Sequence, residues 1–227
     1  MPAAQLLLLR HAQTPSNVLG LLDSRIPGPG LTDLGREQAA AVPGALKTYP
    51  VSSVTASSMV RTVQTGEPLA DERFLTLAVE HGVHEILAGD MEMAAGEEAL
   101  ARYVKIAWGW AAGDLSPRMP GAENGREFFE RFDDVVDRVT SRDEQLPVIV
   151  SHGASIRVWA GLRCQNVSDS FAADAELHNT GSALVERSVS GKWKLLMWNA
   201  GPEGGAASHS LSRKDGPTGS LTEQDLR

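Results

Sequence analysis

The chain alternates between short apolar runs and longer segments in which apolar residues recur at helical spacing. Continuous apolar runs are typical of central strands that are covered on both faces, and they occur at residues 5–9 and in "PVIVSHGAS". Shorter strands are predicted at residues 51–57 and 74–79. The alternation in "SALVERSVSGKWKLLMWNA" predicts a β-hairpin near the end of the patterned sequence.

Other segments have the spacing or the capping residues of helices. Thr32 is the predicted N-cap of a helix across "LTDLGREQAAAVPGAL", and Pro43 is expected to kink or shorten that helix. Further helices are predicted at residues 59–70, 127–142 and 155–162. The second of these has an apolar stripe of Phe128, Phe132, Val135 and Val139. Strands that alternate with helices favour an α/β fold.

Residues 86–124 differ in character from the rest of the chain. Helical spacing in their middle and loops at both ends indicate an inserted helical lid or subdomain. Residues 1–203 are therefore interpreted as one domain that carries this lid. Residues 204–227 contain Gly, Ser and charged residues with few apolar ones, which predicts a flexible C-terminal tail.

Composition narrows the classes of partner. The chain has 227 residues and a formal net charge of −8, which argues against a general nucleic-acid binder. Its single cysteine, Cys164, excludes an internal disulfide and fits a reducing cytosol. The apolar runs are far shorter than the roughly 20 residues that span a bilayer, so we expect a soluble cytoplasmic protein without a membrane partner.

Histidines follow both continuous apolar runs. "LLLLRH" places Arg10 and His11 at the end of the first strand, and "VIVSHG" places His152 at the end of a later one. Ligands of open α/β sheets bind at the carboxyl ends of strands, near a topological switch point. We therefore expect the two histidines, although distant in sequence, to converge on one crevice.

Two more charged residues occupy similar positions. Arg61 lies at the start of the helix after the second strand, and Glu85 follows the third strand in "VHEILAG". Arginines supply planar, permanently charged donors that match phosphate oxygens. A histidine kept neutral by these arginines is a capable nucleophile toward phosphorus, and a carboxylic acid can protonate the leaving alcohol. The set indicates phosphoryl transfer through a phosphohistidine.

Seven motifs follow one another along the chain: "LLLLRHAQTPSN", "LTDLGREQA", "SSMVRTVQT", "HEILAG", "PGAENGREFFERF", "VIVSHGASIR" and "NTGSALV". Together they resemble the histidine phosphatase superfamily, the phosphoglycerate-mutase-like proteins. No single motif is decisive, but the ordered set is highly specific and spans residues 5–199. The resemblance implies a three-layer α/β/α sandwich with a mostly parallel central sheet and an inserted helical lid.

The resemblance also implies roles by position. His11 is the expected phosphorylated nucleophile, and Glu85 is the expected proton donor. The residues expected to bind phosphate share strand-end, helix-start or loop positions and are Arg10, Asn17, Arg61, His152 and Gly153. No metal and no other cofactor is expected.

Two departures from the family pattern stand out. Ala12 replaces the glycine that usually follows the first histidine, and its methyl group is tolerable if the backbone φ there is negative. "AGDMEM" also replaces the usual small-aromatic-acidic-Gly ending of the segment after Glu85. The catalytic set is intact, but the shape of the lid, and therefore the substrate, is left open.

The sequence alone is compatible with several functions. The favoured one is a metal-independent phosphomonoesterase that acts on a small phosphorylated metabolite, since the segment around Glu85 has no Arg or Lys to bind a phosphoglycerate carboxylate. A phosphoglycerate mutase is the runner-up, because Arg102 and Lys105 in the lid could partly substitute. A non-catalytic phosphate-binding module and a metalloenzyme that uses His11, His152 and Glu85 are further alternatives. The oligomeric state is open, a homodimer included.

Overall fold

The structure, a computed structural model, describes residues 4–141 and 145–201, so the tail predicted at residues 204–227 lies outside the described residues. The strands of this part are β1 (Ala4–Arg10), β2 (Val51–Ser57), β3 (Leu77–Glu80), β4 (Leu146–Ser151), β5 (Ser182–Arg187) and β6 (Trp193–Asn199). They form one sheet in the order β3-β2-β4-β1-β5-β6. β1 therefore lies inside the sheet, as its continuous apolar run predicts.

The helices of the same residues lie on both faces of this sheet. They are α1 (Pro15–Leu19), α2 (Asp33–Ala45), α3 (Val60–Glu72), α4 (Glu97–Ala111), α5 (Gly125–Thr140), α6 (Gly153–Arg163) and α7 (Phe171–Asp174). Short 3-10 turns occur at His81–Val83 and Gly89–Met91.

The sheet is mixed but mostly parallel. β1 pairs in parallel with β4, β4 with β2 and β2 with β3, while β5 pairs antiparallel with both β1 and β6. Only β5 therefore runs against the other strands of this sheet. The parallel strands point their carboxyl ends to one edge, and this places the end of β1 beside the end of β4.

The four leucines of β1 show how the three layers form. Successive side chains of a strand point to opposite faces. Leu6 and Leu8 accordingly join the core with α4, α5 and α6, whereas Leu7 and Leu9 join the core with α2 and α3. All four are fully buried, and each contributes roughly 1.5–3 kcal/mol to folding. The predicted α/β/α sandwich is confirmed.

Most predicted elements are present, with shifted ends. Thr32 is the N-cap of α2, and its hydroxyl accepts a hydrogen bond from the Gly35 N–H. That helix ends two residues after Pro43. The third strand begins at Leu77 rather than at Phe74, because Phe74 has a φ of 55° and is almost fully exposed. A positive φ is incompatible with a strand.

Residues 86–124 contain α4 and loops, as predicted from their pattern. Tyr103, Val104, Ala107 and Trp110 of α4 are buried in the core cluster that also holds the α5 and α6 side chains. Their interpretation as a lid remains a prediction. Among the described residues, no helix is both long and apolar enough to cross a membrane.

Candidate active site

The end of β1 holds the candidate nucleophile. Arg10 is the last residue of β1 and His11 follows it, and both side chains are buried. The His11 N–H donates to the Ser151 carbonyl at 3.0 Å, and the Arg10 N–H donates to the Gly181 carbonyl at 2.9 Å. The buried leucines and these two bonds fix the backbone from which both side chains project.

The hydrogen bond of the His11 ring determines its tautomer. Nδ1 lies 2.8 Å from the Ala12 carbonyl oxygen. Since a carbonyl oxygen only accepts, Nδ1 carries the proton and Nε2 carries the lone pair. Burial lowers the pKa of His11 well below its ordinary value of 6.5, and the charges of Arg61 and Arg10 lower it further. His11 is therefore a neutral imidazole at physiological pH.

Arg61 lies in the first turn of α3 with its guanidinium buried. Nη2 donates to the Asp23 carbonyl at 3.0 Å and Nε donates to His152 Nδ1 at 3.3 Å. Nη1 is buried and has no hydrogen-bond partner among the described residues. A Cβ on Gly28, whose φ is +66°, would lie 2.7 Å from that Nη1. Glycine therefore allows the loop to approach the guanidinium closely.

His152 has the opposite tautomer to His11. Because Arg61 Nε donates to its Nδ1, the proton of a neutral ring lies on Nε2, which is 2.8 Å from Ser57 Oγ. Ser57 Oγ is in turn 2.8 Å from Thr62 Oγ1, which donates to the Met59 carbonyl at 2.7 Å. Burial is the main cause that lowers the pKa of His152 well below 6.5, followed by the charge of Arg61.

The Glu85 carboxylate is held at the start of α6. Oε1 accepts hydrogen bonds from the backbone N–H groups of Ile86 and Ser155, both at 2.9 Å, and from Ser155 Oγ at 2.8 Å. Oε2 accepts from the Ala154 N–H at 3.2 Å. The unpaired N–H groups of a helix start bind anions well. Oε2 has fewer partners than Oε1 and is therefore the oxygen with room for a proton.

Asn17 is oriented by its own short helix. Its Oδ1 accepts from the Thr14 N–H at 3.0 Å and from Asn179 Nδ2 at 3.2 Å. The amide oxygen of Asn17 thus accepts its hydrogen bonds from within the protein. Its NH2 group has no partner in the described part of the chain, so it has donors to offer to an anion.

Most of these side chains line one cleft, whose empty space is about 420 Å³ including the solvent at its mouth. Five of the predicted site residues line it, namely Arg10, His11, Asn17, Arg61 and Glu85. His152 and Gly153 do not line it. His152 is completely buried, and its ring centroid lies 5.1 Å from that of His11. It reaches the site through Arg61, whose Nε donates to its Nδ1. Gly153 is the buried first residue of α6.

Ala12 is accommodated without strain. Its φ is not positive, since Phe74, Met93 and Thr180 are the described non-glycine residues with that conformation. Its N–H donates to Thr65 Oγ1 at 3.0 Å, and its methyl group is buried with Leu31 and Ala39. The backbone φ at Ala12 is therefore compatible with its methyl group, and Ala12 does not disrupt the loop after His11.

Several residues of the site escaped the sequence analysis. Ser57 and Thr62 support His152, and Asp23, Ser24 and Tyr103 line the cleft. The position of Ser57 and Thr62 in "SSMVRT", on either side of the turn that presents Arg61, was a usable signal. The other three lie in a loop and in a helix whose approach to the cleft depends on tertiary packing.

The alternative metal site has no support in the side-chain arrangement. Within residues 4–141 and 145–201, no group of three or more His, Cys, Asp or Glu side chains is placed to hold a metal ion. In the predicted trio of His11, His152 and Glu85, each side chain has its own hydrogen-bond partners within the protein, and His152 accepts from Arg61.

The sequence matches known proteins over most of its length. A family model described as the histidine phosphatase superfamily (branch 1) matches residues 6–201. A PE-PGRS family protein, PE_PGRS11 of Mycobacterium tuberculosis, is 30% identical over 215 residues, which are 88% of this chain. The match covers 37% of that longer relative. A putative phosphoserine phosphatase 2 of Hydrogenobacter thermophilus is 26% identical over 198 residues, with 86% of this chain and 94% of the relative covered.

Solved structures share the fold. A mycobacterial glucosyl-3-phosphoglycerate phosphatase, solved as a complex with VO3, superposes with a TM-score of 0.72 at 22% sequence identity. The superposition covers 86% of this chain and 98% of that one. At this identity the likeness concerns the fold alone.

Proposed function

Because the chain belongs to the histidine phosphatase superfamily (branch 1), we propose that it is a phosphomonoesterase that works through a phosphohistidine on His11. Its substrate is a small phosphorylated metabolite that reaches His11, Arg10 and Arg61 through the cleft that they line. Metal is not required in this proposal. The fixed arginines supply the positive charge that phosphoryl transfer demands.

The observation that carries the proposal is the tautomer of His11 beside the buried, unpartnered Nη1 of Arg61. With its proton on Nδ1, His11 presents a lone pair on Nε2, and that atom has no hydrogen-bond partner among the described residues. A buried N–H without a partner is costly. A phosphate oxygen in the cleft would satisfy the Arg61 Nη1 and bring phosphorus next to Nε2.

The first half-reaction transfers the phosphoryl group to the protein. His11 Nε2 attacks phosphorus, the bond between phosphorus and the ester oxygen breaks, and Glu85 gives its proton to the departing alkoxide. Arg10, Arg61 and the NH2 group of Asn17 hold the three equatorial oxygens while charge spreads over them. The Nδ1 bond to the Ala12 carbonyl stabilises the positive charge that develops on the ring.

The second half-reaction returns the phosphoryl group to water. Glu85, now a carboxylate, takes a proton from the attacking water, the phosphorus–nitrogen bond breaks, and inorganic phosphate leaves. The donors on both Glu85 oxygens keep the carboxylate in place between the two steps. The site then returns to a protonated Glu85 and a neutral His11.

The geometry favours a phosphatase over a mutase. A mutase of phosphoglycerates has to bind a carboxylate besides the phosphate. Arg102 and Lys105, the two candidates in the sequence, are exposed on α4 and do not line the cleft. Arg10 and Arg61 are the cationic lining residues, and both are assigned to phosphate.

The test is phosphate release from a panel of phosphorylated metabolites without added metal. The panel includes 3-phosphoglycerate, with its 2-isomer followed in parallel, and each substrate is also given to His11→Ala. Phosphate release that disappears in the variant is the expected result. Isomer interconversion with little phosphate release would replace the phosphatase by the mutase, and binding without either reaction would leave the non-catalytic module.

A further inference from the structure

The cleft has a cationic end and a wall that combines apolar side chains with one carboxylate, that of Asp23. Arg10 and Arg61 lie at the phosphate end, and no other lysine or arginine is among the lining residues. Leu21, Leu22 and Ala88 supply apolar surface to the wall. Once a phosphate occupies the two arginines, a second anionic group on the substrate has no cation to meet.

Asp23 is the acidic residue of this wall, and hydrogen bonds fix both its backbone carbonyl and its carboxylate. Its backbone carbonyl accepts a hydrogen bond from Arg61 Nη2 at 3.0 Å, and its Oδ2 accepts one from Ser16 Oγ. Its Oδ1 has no partner among the residues that the structure describes. Asp23, a lining residue of the cleft, therefore has one carboxylate oxygen that is not used as an acceptor by the described residues.

The neighbouring hydroxyl groups are already used within the protein. Ser24 Oγ donates to Glu92 at 2.5 Å and accepts from the Ala88 N–H at 2.7 Å, while the Tyr103 hydroxyl donates to the Ile86 carbonyl at 2.9 Å. These groups have no spare proton for a substrate. Of Asp23, Ser24 and Tyr103, the group left to meet a leaving alcohol is therefore an acceptor, the Asp23 carboxylate.

Resting on the proposed phosphatase function, we propose that Asp23 determines specificity for the leaving alcohol. It selects esters that carry a hydroxyl or ammonium donor near the phosphate, and it rejects esters that carry a carboxylate there. A donor on a carboxylate forms a charge-assisted hydrogen bond, which is among the stronger ones. Two carboxylates in a confined cleft repel each other, and such repulsion is an effective way to exclude a competitor.

A matched pair of substrates tests this directly. Glycerol 3-phosphate and 3-phosphoglycerate share the same skeleton and differ in a CH2OH group against a carboxylate. Wild-type kcat/KM should be higher for glycerol 3-phosphate by about tenfold or more. Phosphoethanolamine gives the ammonium arm of the comparison, and p-nitrophenyl phosphate serves as a probe with neither group.

Asp23→Asn removes the charge and keeps the size. The variant should reduce the preference to about threefold or less, through a kcat/KM for 3-phosphoglycerate that rises relative to that for p-nitrophenyl phosphate. Asp114→Asn, an exposed carboxylate in the loop after α4, is the matched control and should keep the wild-type preference.

Two kinetic results would overturn the proposal. One is equal turnover of glycerol 3-phosphate and 3-phosphoglycerate by the wild type. The other is a change by the same factor for all substrates in Asp23→Asn, which would make Asp23 only a counter-charge for Arg61. Calorimetric binding of the two esters to His11→Ala measures the same preference without turnover. A failure of the proposed function is seen separately, as loss of His11-dependent hydrolysis of p-nitrophenyl phosphate, and equal binding of both esters would still reject the role of Asp23.

Discussion

The imidazole rings of His11 and His152 lie 5.1 Å apart and carry their protons on opposite nitrogens. His11 is protonated on Nδ1 because that atom faces the Ala12 carbonyl. His152 is protonated on Nε2 because Arg61 donates to its Nδ1. The first ring thus presents a lone pair to the cleft, while the second uses its lone pair to hold an arginine. Two chemically identical side chains at the ends of adjacent strands have different tasks.

These tautomers are directly observable. Long-range 1H–15N spectra should show neutral Nδ1–H for His11 and neutral Nε2–H for His152 at pH 6.5, because burial and the arginines lower the pKa of both rings. Both rings should remain neutral at pH 5.5. The imidazole signal that disappears in His11→Ala is thereby assigned to His11. A doubly protonated ring at pH 6 would contradict the expected state.

Glu85→Gln tests the proton donor. The change should lower kcat for an alkyl phosphate by about 10²-fold or more, since general acid catalysis contributes 10²–10⁴-fold. The loss should be much smaller for p-nitrophenyl phosphate, whose leaving group needs little protonation. Steady-state kinetics on both substrates give the comparison. Equal losses would show that Glu85 acts only in shaping the start of α6.

Ser57→Ala tests the support of His152. Removal of the hydroxyl leaves the His152 Nε2–H buried without its acceptor, at a cost of about 1–3 kcal/mol. We expect Arg61 to lose its alignment and the inhibition constant of inorganic phosphate to rise by about tenfold. Ser58→Ala is the matched control, because Ser58 is adjacent but contacts His81 rather than His152. Similar inhibition constants in both variants would disprove the role of Ser57.

Stability should fall as the pH falls below 6.5. Burial lowers the pKa of His84 to about 3, and His11 and His152 are also lowered. The unfolded chain therefore binds protons that the folded one does not, and each such proton reduces the free energy of unfolding by about 1.4 kcal/mol per pH unit. Urea unfolding at pH 7.5 and pH 5 measures the slope.

His84→Asn isolates one of these protons. The slope should decrease by about one proton in this variant, whose amide can still donate to the Glu85 carbonyl as His84 Nδ1 does. His81→Asn changes the exposed neighbour and serves as the control. An unchanged slope in His84→Asn would mean that His84 binds the same number of protons in the folded and the unfolded state.

Two glycines of α2 should respond oppositely to alanine. A Cβ on Gly35 would lie 2.1 Å from the Gln13 carbonyl oxygen, in the loop that follows His11. Gly35→Ala should therefore destabilise the protein by about 1–3 kcal/mol and lower activity. A Cβ on Gly44 meets nothing within 4 Å, so Gly44→Ala should stabilise by about 0.4–1 kcal/mol. Thermal unfolding separates the two, and an equally tolerated Gly35→Ala would refute the close approach.

The sequence was sufficient for those features that local chemistry determines. The leucine run placed β1 inside the sheet, and Thr32 marked the start of α2. The motif residues Arg10, His11, Arg61 and Glu85 do converge on one cleft. The extent of the third strand was wrong, because the positive φ of Phe74 depends on the turn after α3 and leaves no periodic signal.

The cleft wall was beyond the reach of sequence patterns. Asp23 and Tyr103 line the same cleft because both of their segments are bound to residues 86–88. The Ala88 N–H donates to Ser24 Oγ in the loop after α1, and the Tyr103 hydroxyl of α4 donates to the Ile86 carbonyl. His84 is buried as well, and Arg131 of α5, far along the chain, donates a hydrogen bond to its backbone carbonyl. Such contacts join residues that are distant in sequence and follow no period.

The start of α6 supports two parts of the chemistry at once. It begins immediately after His152, and its first N–H groups hold Glu85. Glu85 and His152 are thereby tied to a single helix, whereas residues 21–24, which also line the cleft, belong to the loop after α1. In evolutionary terms, mutations in this loop can alter the lining of the cleft without moving the residues that carry the proposed reaction.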